Sequence, residues 1–249
     1  MTKISAIIPT LNEEIHIEAA IKSVGFADEI IVIDSYSTDN TVVLAEKHNV
    51  KIIKRKFDDF SSQKNFAIDQ AQHPWIYILD ADERVTPAVE KEILEAVLNP
   101  KDYVGFYVRR SFYFAGEKIN YSGWQRDRVI RLFLKEFCNY IGLVHETIDA
   151  KGKLGSLNNK INHFSYRSFD HYIAKINHYS WLQAKDLQNK GKSVNLYHIL
   201  IKPPIRFFIH YIVRLGFLDG FAGFMIAKTQ AFAVLSRYLK LWLLKKNLI

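Results

Sequence analysis

Cysteine is almost absent from this chain of 249 residues: Cys138 is its only one. No intrachain disulfide can form, which fits a reducing compartment. Internal repeats and low-complexity stretches are missing too, and with 49% apolar and 14% aromatic residues the composition excludes a disordered chain. The opening run Met1-Thr-Lys-Ile-Ser-Ala-Ile-Ile-Pro9 holds too few apolar residues for a signal peptide and reads as the start of a strand. A membrane span needs about 20 apolar residues with few charges. Near the C-terminus Arg206, His210, Arg214, Asp219, Lys228 and Arg237 interrupt every such window, so no span is expected. Acid is scarce in the same region. Residues 197–249 carry eight Lys/Arg and only Asp219, a local charge of +7, whereas the first 196 residues carry +1. A neutral body with a basic tail points to an anionic partner, a lipid surface or nucleic acid.

What is present is an alternation of two periods. Ile4–Pro9, Glu29–Asp34, Val50–Arg55 and Trp75–Asp80 read as strands. Glu13–Val24, Thr41–His48, Ser61–Ala71 and Thr86–Leu98 read as helices, the last with Thr86 as N-cap and Pro87 in its first position. This order predicts a parallel sheet covered on both faces, and Ile30-Ile-Val-Ile33 suits a strand buried on both sides. After Leu98 the rhythm breaks. Gly105–Phe114 and Val129–Leu134 read as strands, 138–166 is mixed, and a helix is expected from about Ser168 to Lys190. Ile199–Arg214 and Phe221–Lys246 read as basic amphipathic helices of the kind that lie in a membrane surface; a helical subdomain packed on the rest of the chain is the alternative. Their aromatics fall in amphipathic runs rather than along an exposed basic groove, so no nucleic-acid partner is expected.

The residues with chemistry gather at strand ends. Trp75-Ile-Tyr-Ile-Leu empties into Asp80-Ala-Asp82-Glu83. Unpaired buried carboxylates are costly, and a divalent cation carrying phosphates would account for two of them one residue apart; a solvated turn is the plainer alternative. The first strand ends in Pro9-Thr10-Leu-Asn12-Glu13-Glu14 and the second in Asp34-Ser-Tyr-Ser-Thr-Asp39-Asn-Thr41, on the edge of the sheet where α/β folds bind ligands. Thr10, Asn12 and Asp39 are each compatible with a helix N-cap. Lys64 is expected in the first turn of its helix, either reaching a phosphate or base or simply solvated.

These stretches, with Ser62-Gln-Lys64-Asn65, resemble a family-two glycosyltransferase of the GT-A fold over roughly residues 1–135. The resemblance implies an α/β fold: a Rossmann-like, mostly parallel sheet with helices on both faces, followed by the C-terminal amphipathic helical segment. It also implies a sugar nucleotide across the strand ends. Pro9, Thr10, Asn12 and Glu13 would frame base and ribose, Asp34 would read the uracil or ribose, Lys64 and Asp80 would help hold the nucleotide, and Asp82 would ligate Mg²⁺ or Mn²⁺. Tyr121-Ser-Gly-Trp-Gln-Arg-Asp-Arg, Val144-His145-Glu146 and Leu215-Gly-Phe-Leu-Asp-Gly220-Phe-Ala-Gly resemble bacterial lipopolysaccharide core β-glucosyltransferases.

An inverting transfer needs one general base. Glu146 is the candidate and Asp127 the runner-up, with His145 orienting the base or completing the metal shell. Arg126, Arg128 and Arg131 are candidates to neutralise a diphosphate, and His163 and His178 read as structural. The expected division is 1–135 for nucleotide-sugar binding, 136–196 for the acceptor side and 197–249 for membrane association. The expectation is an enzyme moving a hexose from a UDP-sugar, glucose from UDP-glucose, to a lipid-linked glycan. It would sit peripherally on an anionic membrane, at the cytoplasmic face of the bacterial inner membrane. A polyprenyl-phosphate or other envelope-glycan acceptor, a nucleotidyltransferase and an inactive scaffold are the alternatives. The first loop has no glycine and two acids, which argues against the nucleotidyltransferase.

Overall fold

Apolar runs bounded by polar turns form four parallel strands: β1 (Ile4–Thr10), β2 (Glu29–Asp34), β3 (Lys51–Lys54) and β4 (Trp75–Ile78). The computed structural model describes residues 3–114, 116–124, 127–142, 146–164 and 169–248. Between and after these strands run α1 (Ile17–Ser23), α2 (Thr41–Ala45), α3 (Phe60–Asp69) and α4 (Pro87–Leu98). The Thr86 hydroxyl caps α4, accepting from the Val89 N–H at 3.4 Å. β1 alternates its side chains between two cores. Ile4, Ala6 and Ile8 join Tyr77, Val89 and Ile93 on one face, while Ile7 joins Ile31, Ile33, Ala67 and Phe133 on the other. Each such isoleucine contributes about 1.5–3 kcal/mol on full burial, which is why both faces of β1 must be covered.

The sheet continues antiparallel beyond β4. The short β5 (Glu83–Arg84), β6 (Tyr103–Phe114), β8 (Arg128–Leu134) and β11 (Lys153–His163) complete the order β3-β2-β1-β4-β8-β6-β11-β5, and β7 (Glu117–Ile119) pairs with the end of β6. β9 (Cys138–Ile141) and β10 (Thr147–Ala150) form a separate antiparallel pair. The stretch read as mixed thus holds two short strands and one long one. Cys138 is buried, and first burial, then Asp149, push its thiol up to about 11, as befits an inert side chain.

α1 starts later than Glu13. Asn12 takes a left-handed φ of 54°, and the N–H groups of Asn12, Glu13 and Glu14 are bound by Ser37, Thr41 and Asp39, so the chain enters the helix only after this loop is tied down.

Two compact units emerge. The first holds Met1–Arg110 and Asp127–His163, the second Ser111–Arg126 and Phe164–Ile249. They cut across the division expected at 135/136 and 196/197. In the second unit α5 (Phe169–Asn189) packs on α7 (Gly220–Lys245): Tyr172 and Ile176 meet Ala222 and Ile226, and Ala184 meets Val234, Tyr238 and Leu241. The helix assigned to the acceptor side therefore shares its core with the tail. α6 (Lys202–Phe208) lies in a helical stretch running from Tyr197 to Val213. A Cβ on Gly223 would fall 1.8 Å from the Gly216 carbonyl oxygen, so the Leu215–Gly223 motif is a close backbone approach. No single described helix is long and apolar enough to cross a membrane. The helices Tyr197–Val213 and Gly216–Lys245, bent by 72°, reach that length and apolarity only when taken together.

Candidate active site

The parallel register aligns Thr10 with Asp34, and the Leu79 N–H bonds the Ile7 carbonyl at 3.0 Å, so the ends of β1, β2 and β4 share one edge. The first two loops bind each other. Asp34 is fully buried, and its carboxylate accepts from the Ser37 N–H and, at 2.5 Å, from the Ser37 hydroxyl. The Ser37 hydroxyl in turn accepts from the Asn12 N–H at 2.9 Å, and the Asn12 side chain accepts from the Thr38 N–H at 2.8 Å. Asp39 is no N-cap of the simple kind: it accepts from both Thr41 and the Glu14 N–H. Of the residues expected to frame a nucleotide, Asn12 and Asp34 thus shape the loop, while the Thr10 hydroxyl is buried with no hydrogen-bond partner among the described residues.

At the end of β4 the charges alternate in a row. Glu146 lies 2.9 Å from the Lys64 ammonium, which lies 3.9 Å from Asp80. Asp80 is paired with Arg131, Arg131 with Glu83 at 2.6 Å, Glu83 with Arg110 at 3.3 Å, and Arg110 with Asp127 at 2.5 Å. Lys64 is therefore not a solvated lysine; it is 5% exposed. Burial would lower its pKa, but Asp80 foremost, with Tyr140 and Glu146 in support, raises it. Burial would raise the Asp80 carboxyl, yet Arg131 and then Lys64 hold it well below the usual carboxylate range. Burial likewise opposes the Arg131 charge, and Asp80 and Glu83 outweigh it. Arg131, weighed as a diphosphate neutraliser, is committed to this row. Glu83 is fully buried between two arginines and was not singled out by sequence.

Asp82 points elsewhere. Its carboxylate lies 3.2 Å from Nε2 of His163. β11 brings that histidine in by pairing His163 with Glu83. Arg84 fixes the turn, donating to the carbonyls of Ala81 and His16. Among the described residues no cluster of three or more His, Cys, Asp or Glu forms. Mg²⁺ keeps bonds of about 2.0–2.1 Å and accepts one or two protein ligands plus phosphates; adjacent ligands of that octahedron lie about 3 Å apart. The Asp82–His163 separation equals such an edge and also that of a hydrogen bond between the two; Asp80 is paired with Arg131 and Lys64, and Asp82 lies close enough to Arg84 to support its charge. His145 and Arg126 lie outside the described residues.

The model of the family "Glycosyl transferase family 2" matches residues 5–172. An uncharacterized glycosyltransferase of Rickettsia felis is 32% identical over 262 residues, covering 100% of this chain and 92% of that protein. The lipopolysaccharide core biosynthesis glycosyltransferase LpsC of Rhizobium meliloti is 30% identical over 236 residues, covering 92% and 87%. Among solved structures, glucosyl-3-phosphoglycerate synthase from Mycobacterium tuberculosis, in complex with Mn²⁺, UDP and phosphoglyceric acid, superposes with a TM-score of 0.51 at 16% identity, over 78% of this chain and 80% of that one. That likeness extends to the fold, a GT-A-type mixed α/β sheet.

Proposed function

Because the chain belongs to glycosyl transferase family 2, we propose that it transfers a hexose, with inversion, from a UDP-sugar to a lipid-linked envelope glycan. Glucose from UDP-glucose and a lipopolysaccharide core acceptor are the specific reading, the acceptor by analogy with the Rhizobium lipopolysaccharide core biosynthesis glycosyltransferase. The observation that carries the proposal is the alternating charge row, which leaves Asp82 beside His163 and ends in two carboxylates, Glu146 and Asp127.

In such a transfer the bond from the anomeric carbon to UDP breaks and a bond to the acceptor oxygen forms. The acceptor proton passes to a carboxylate, Glu146 first and Asp127 second in order of preference. Asp82 and His163 would hold Mg²⁺ or Mn²⁺, which when bound masks the negative charge on the departing diphosphate. The Pro9–Glu13 loop, with the orphan Thr10 hydroxyl, offers polar groups to base and ribose. Asp80, held ionised by Lys64 and Arg131, keeps the turn in place. Exposed Leu200, Phe208 and Phe221 and the +7 charge of residues 197–249 support peripheral attachment to an anionic membrane, the cytoplasmic face of the inner membrane.

The test is UDP release from UDP-glucose with Mn²⁺ and a core acceptor. Asp82→Ala should abolish turnover. Glu146→Gln should keep UDP affinity and lose about 10²–10⁴ in rate. If Asp127→Asn alone shows that loss, the base is reassigned to Asp127. Undiminished turnover in EDTA removes the cation, and no turnover with any nucleotide sugar overturns the reading.

A further inference from the structure

The basic residues of the second unit are not spread evenly. The His198 and Tyr238 rings lie against each other, tilted by 46°, with centroids 4.6 Å apart; the Lys202 ammonium lies 4.8 Å from the centre of the Tyr238 ring and the Arg237 guanidinium 4.9 Å from it. Lys202 also donates to the Tyr238 hydroxyl at 2.7 Å. Arg206 stands one helical turn beyond Lys202, where like charges repel. It is half-buried, and its side chain makes no hydrogen bond, ion pair or ring contact among the described residues. Arg237 Nε is shielded from water and likewise has no hydrogen-bond partner there. The pKa of Arg206 is lowered, first by burial and then by the charges of Arg214 and Arg237. The only acid from Tyr197 onward, Asp219, is taken: it accepts from the N–H groups of Asn120 and Tyr121 and from the Ser122 hydroxyl.

We propose that His198, Lys202 and Arg237, grouped around Tyr238, together with Arg206 one helical turn beyond Lys202, form a site for the phosphate headgroup of a membrane lipid. Charge complementarity calls for an anion, and guanidinium pairs suit phosphate. The neighbouring apolar side chains commit the anion to a lipid rather than free phosphate: Ile201, Ile205 and Phe208, in and beside α6, are 48%, 44% and 55% exposed. This inference rests on the membrane reading above and sharpens it from a charged surface to a defined cluster of side chains.

Flotation of the full chain with phosphatidylcholine vesicles containing phosphatidic acid tests it, with phosphatidylserine vesicles of matched surface charge for comparison. R206Q/R237Q should lose about 30-fold in vesicle affinity, two charges at about 1 kcal/mol each. K245Q/K246Q, which removes the same charge at the end of α7, should lose far less. Matching melting temperatures of the variants exclude misfolding; if R206Q/R237Q melts early, R206K/R237K takes its place and should still lose preference for phosphatidic acid. Equal losses in both double variants, or equal affinity for both lipids, overturn the site and leave membrane attachment standing. Failure of the parent chain to float with any vesicle overturns attachment and the site together. Inorganic phosphate that raises the melting temperature of the parent but not of R206Q/R237Q, without flotation, assigns the cations to free phosphate and overturns the lipid.

Discussion

The two units handle charge in opposite ways. In the first, every cation of the strand-end row has a carboxylate on either side, from Glu146 through Lys64, Asp80, Arg131 and Glu83 to Arg110 and Asp127. In the second, from Tyr197 onward, Lys202, Lys228 and Lys240 meet aromatic rings and neutral oxygens instead, while the end of α5 keeps an exposed ion pair between Lys190 and Asp186. Lys228 lies 5.0 Å from the Phe207 ring centre, and the buried Lys240 donates to the Asn177 carbonyl and the Ser180 hydroxyl. Paired buried charges hold a geometry, because removing one strands its partner. Cations without counter-charges hold little geometry and favour an anion from outside. The contrast separates a row of charges that fix one another's positions from a set of cations left without counter-charge.

The largest effect should come from breaking the row at its centre. Glu83→Gln preserves shape but leaves Arg131 and Arg110 facing each other across a neutral amide. Loss of one member of a buried pair costs about 3–5 kcal/mol, so urea denaturation should show a drop of that order. A loss below about 1 kcal/mol would mean that water already solvates these charges, and the contrast between the units would collapse.

A smaller effect belongs to the second unit, where a neutral histidine is built in. His210 is buried; its Nδ1–H donates to the Ser122 carbonyl at 2.9 Å and its Nε2 accepts from Arg214 at 3.2 Å. Burial first, then Arg214, hold its pKa down to about 4 from the usual 6.5. The unfolded chain takes up a proton below 6.5 that the folded chain refuses until about 4. Stability from this residue is therefore complete above the upper value and declines through that window as pH falls, by about 3 kcal/mol in all. His210→Gln should flatten the parent's decline between those limits, read as the difference between the two denaturation curves. Parallel curves would show that the ring is already charged.

The parallel half of the sheet was legible because its strands are continuous apolar runs between strong turn signals, and α4 because Thr86 and Pro87 announce it. β9, β10 and β11 were not. Lys153-Leu-Gly-Ser-Leu-Asn-Asn-Lys-Ile-Asn-His163 alternates only loosely and carries three asparagines, so its pairing is decided by long-range partners such as Glu83 and Arg84. Missing β11 meant missing His163, since no local pattern ties that residue to Asp82. Asp80 and Asp82 were found as a pair, but the sequence does not carry the information that separates them: one is clasped by Arg131, 51 residues away, and the other faces a histidine 81 residues on. The extent of the second compact unit was not legible for a related reason. The basic charge of the tail marked a boundary at Tyr197, whereas Tyr172 and Ile176 of α5 bury themselves against α7.

The smallest effect is the one that discriminates most sharply between the units. Arg206→Gln removes a half-buried cation, as Glu83→Gln removes a buried anion, yet Arg206 binds nothing among the described residues and repels Arg214 and Arg237. Its loss strands no partner and relieves like-charge repulsion. Stability should stay within about 0.5 kcal/mol of the parent, with any change toward greater stability. A loss above about 1 kcal/mol would place a carboxylate or carbonyl against Arg206 and return the second unit to the paired logic of the first.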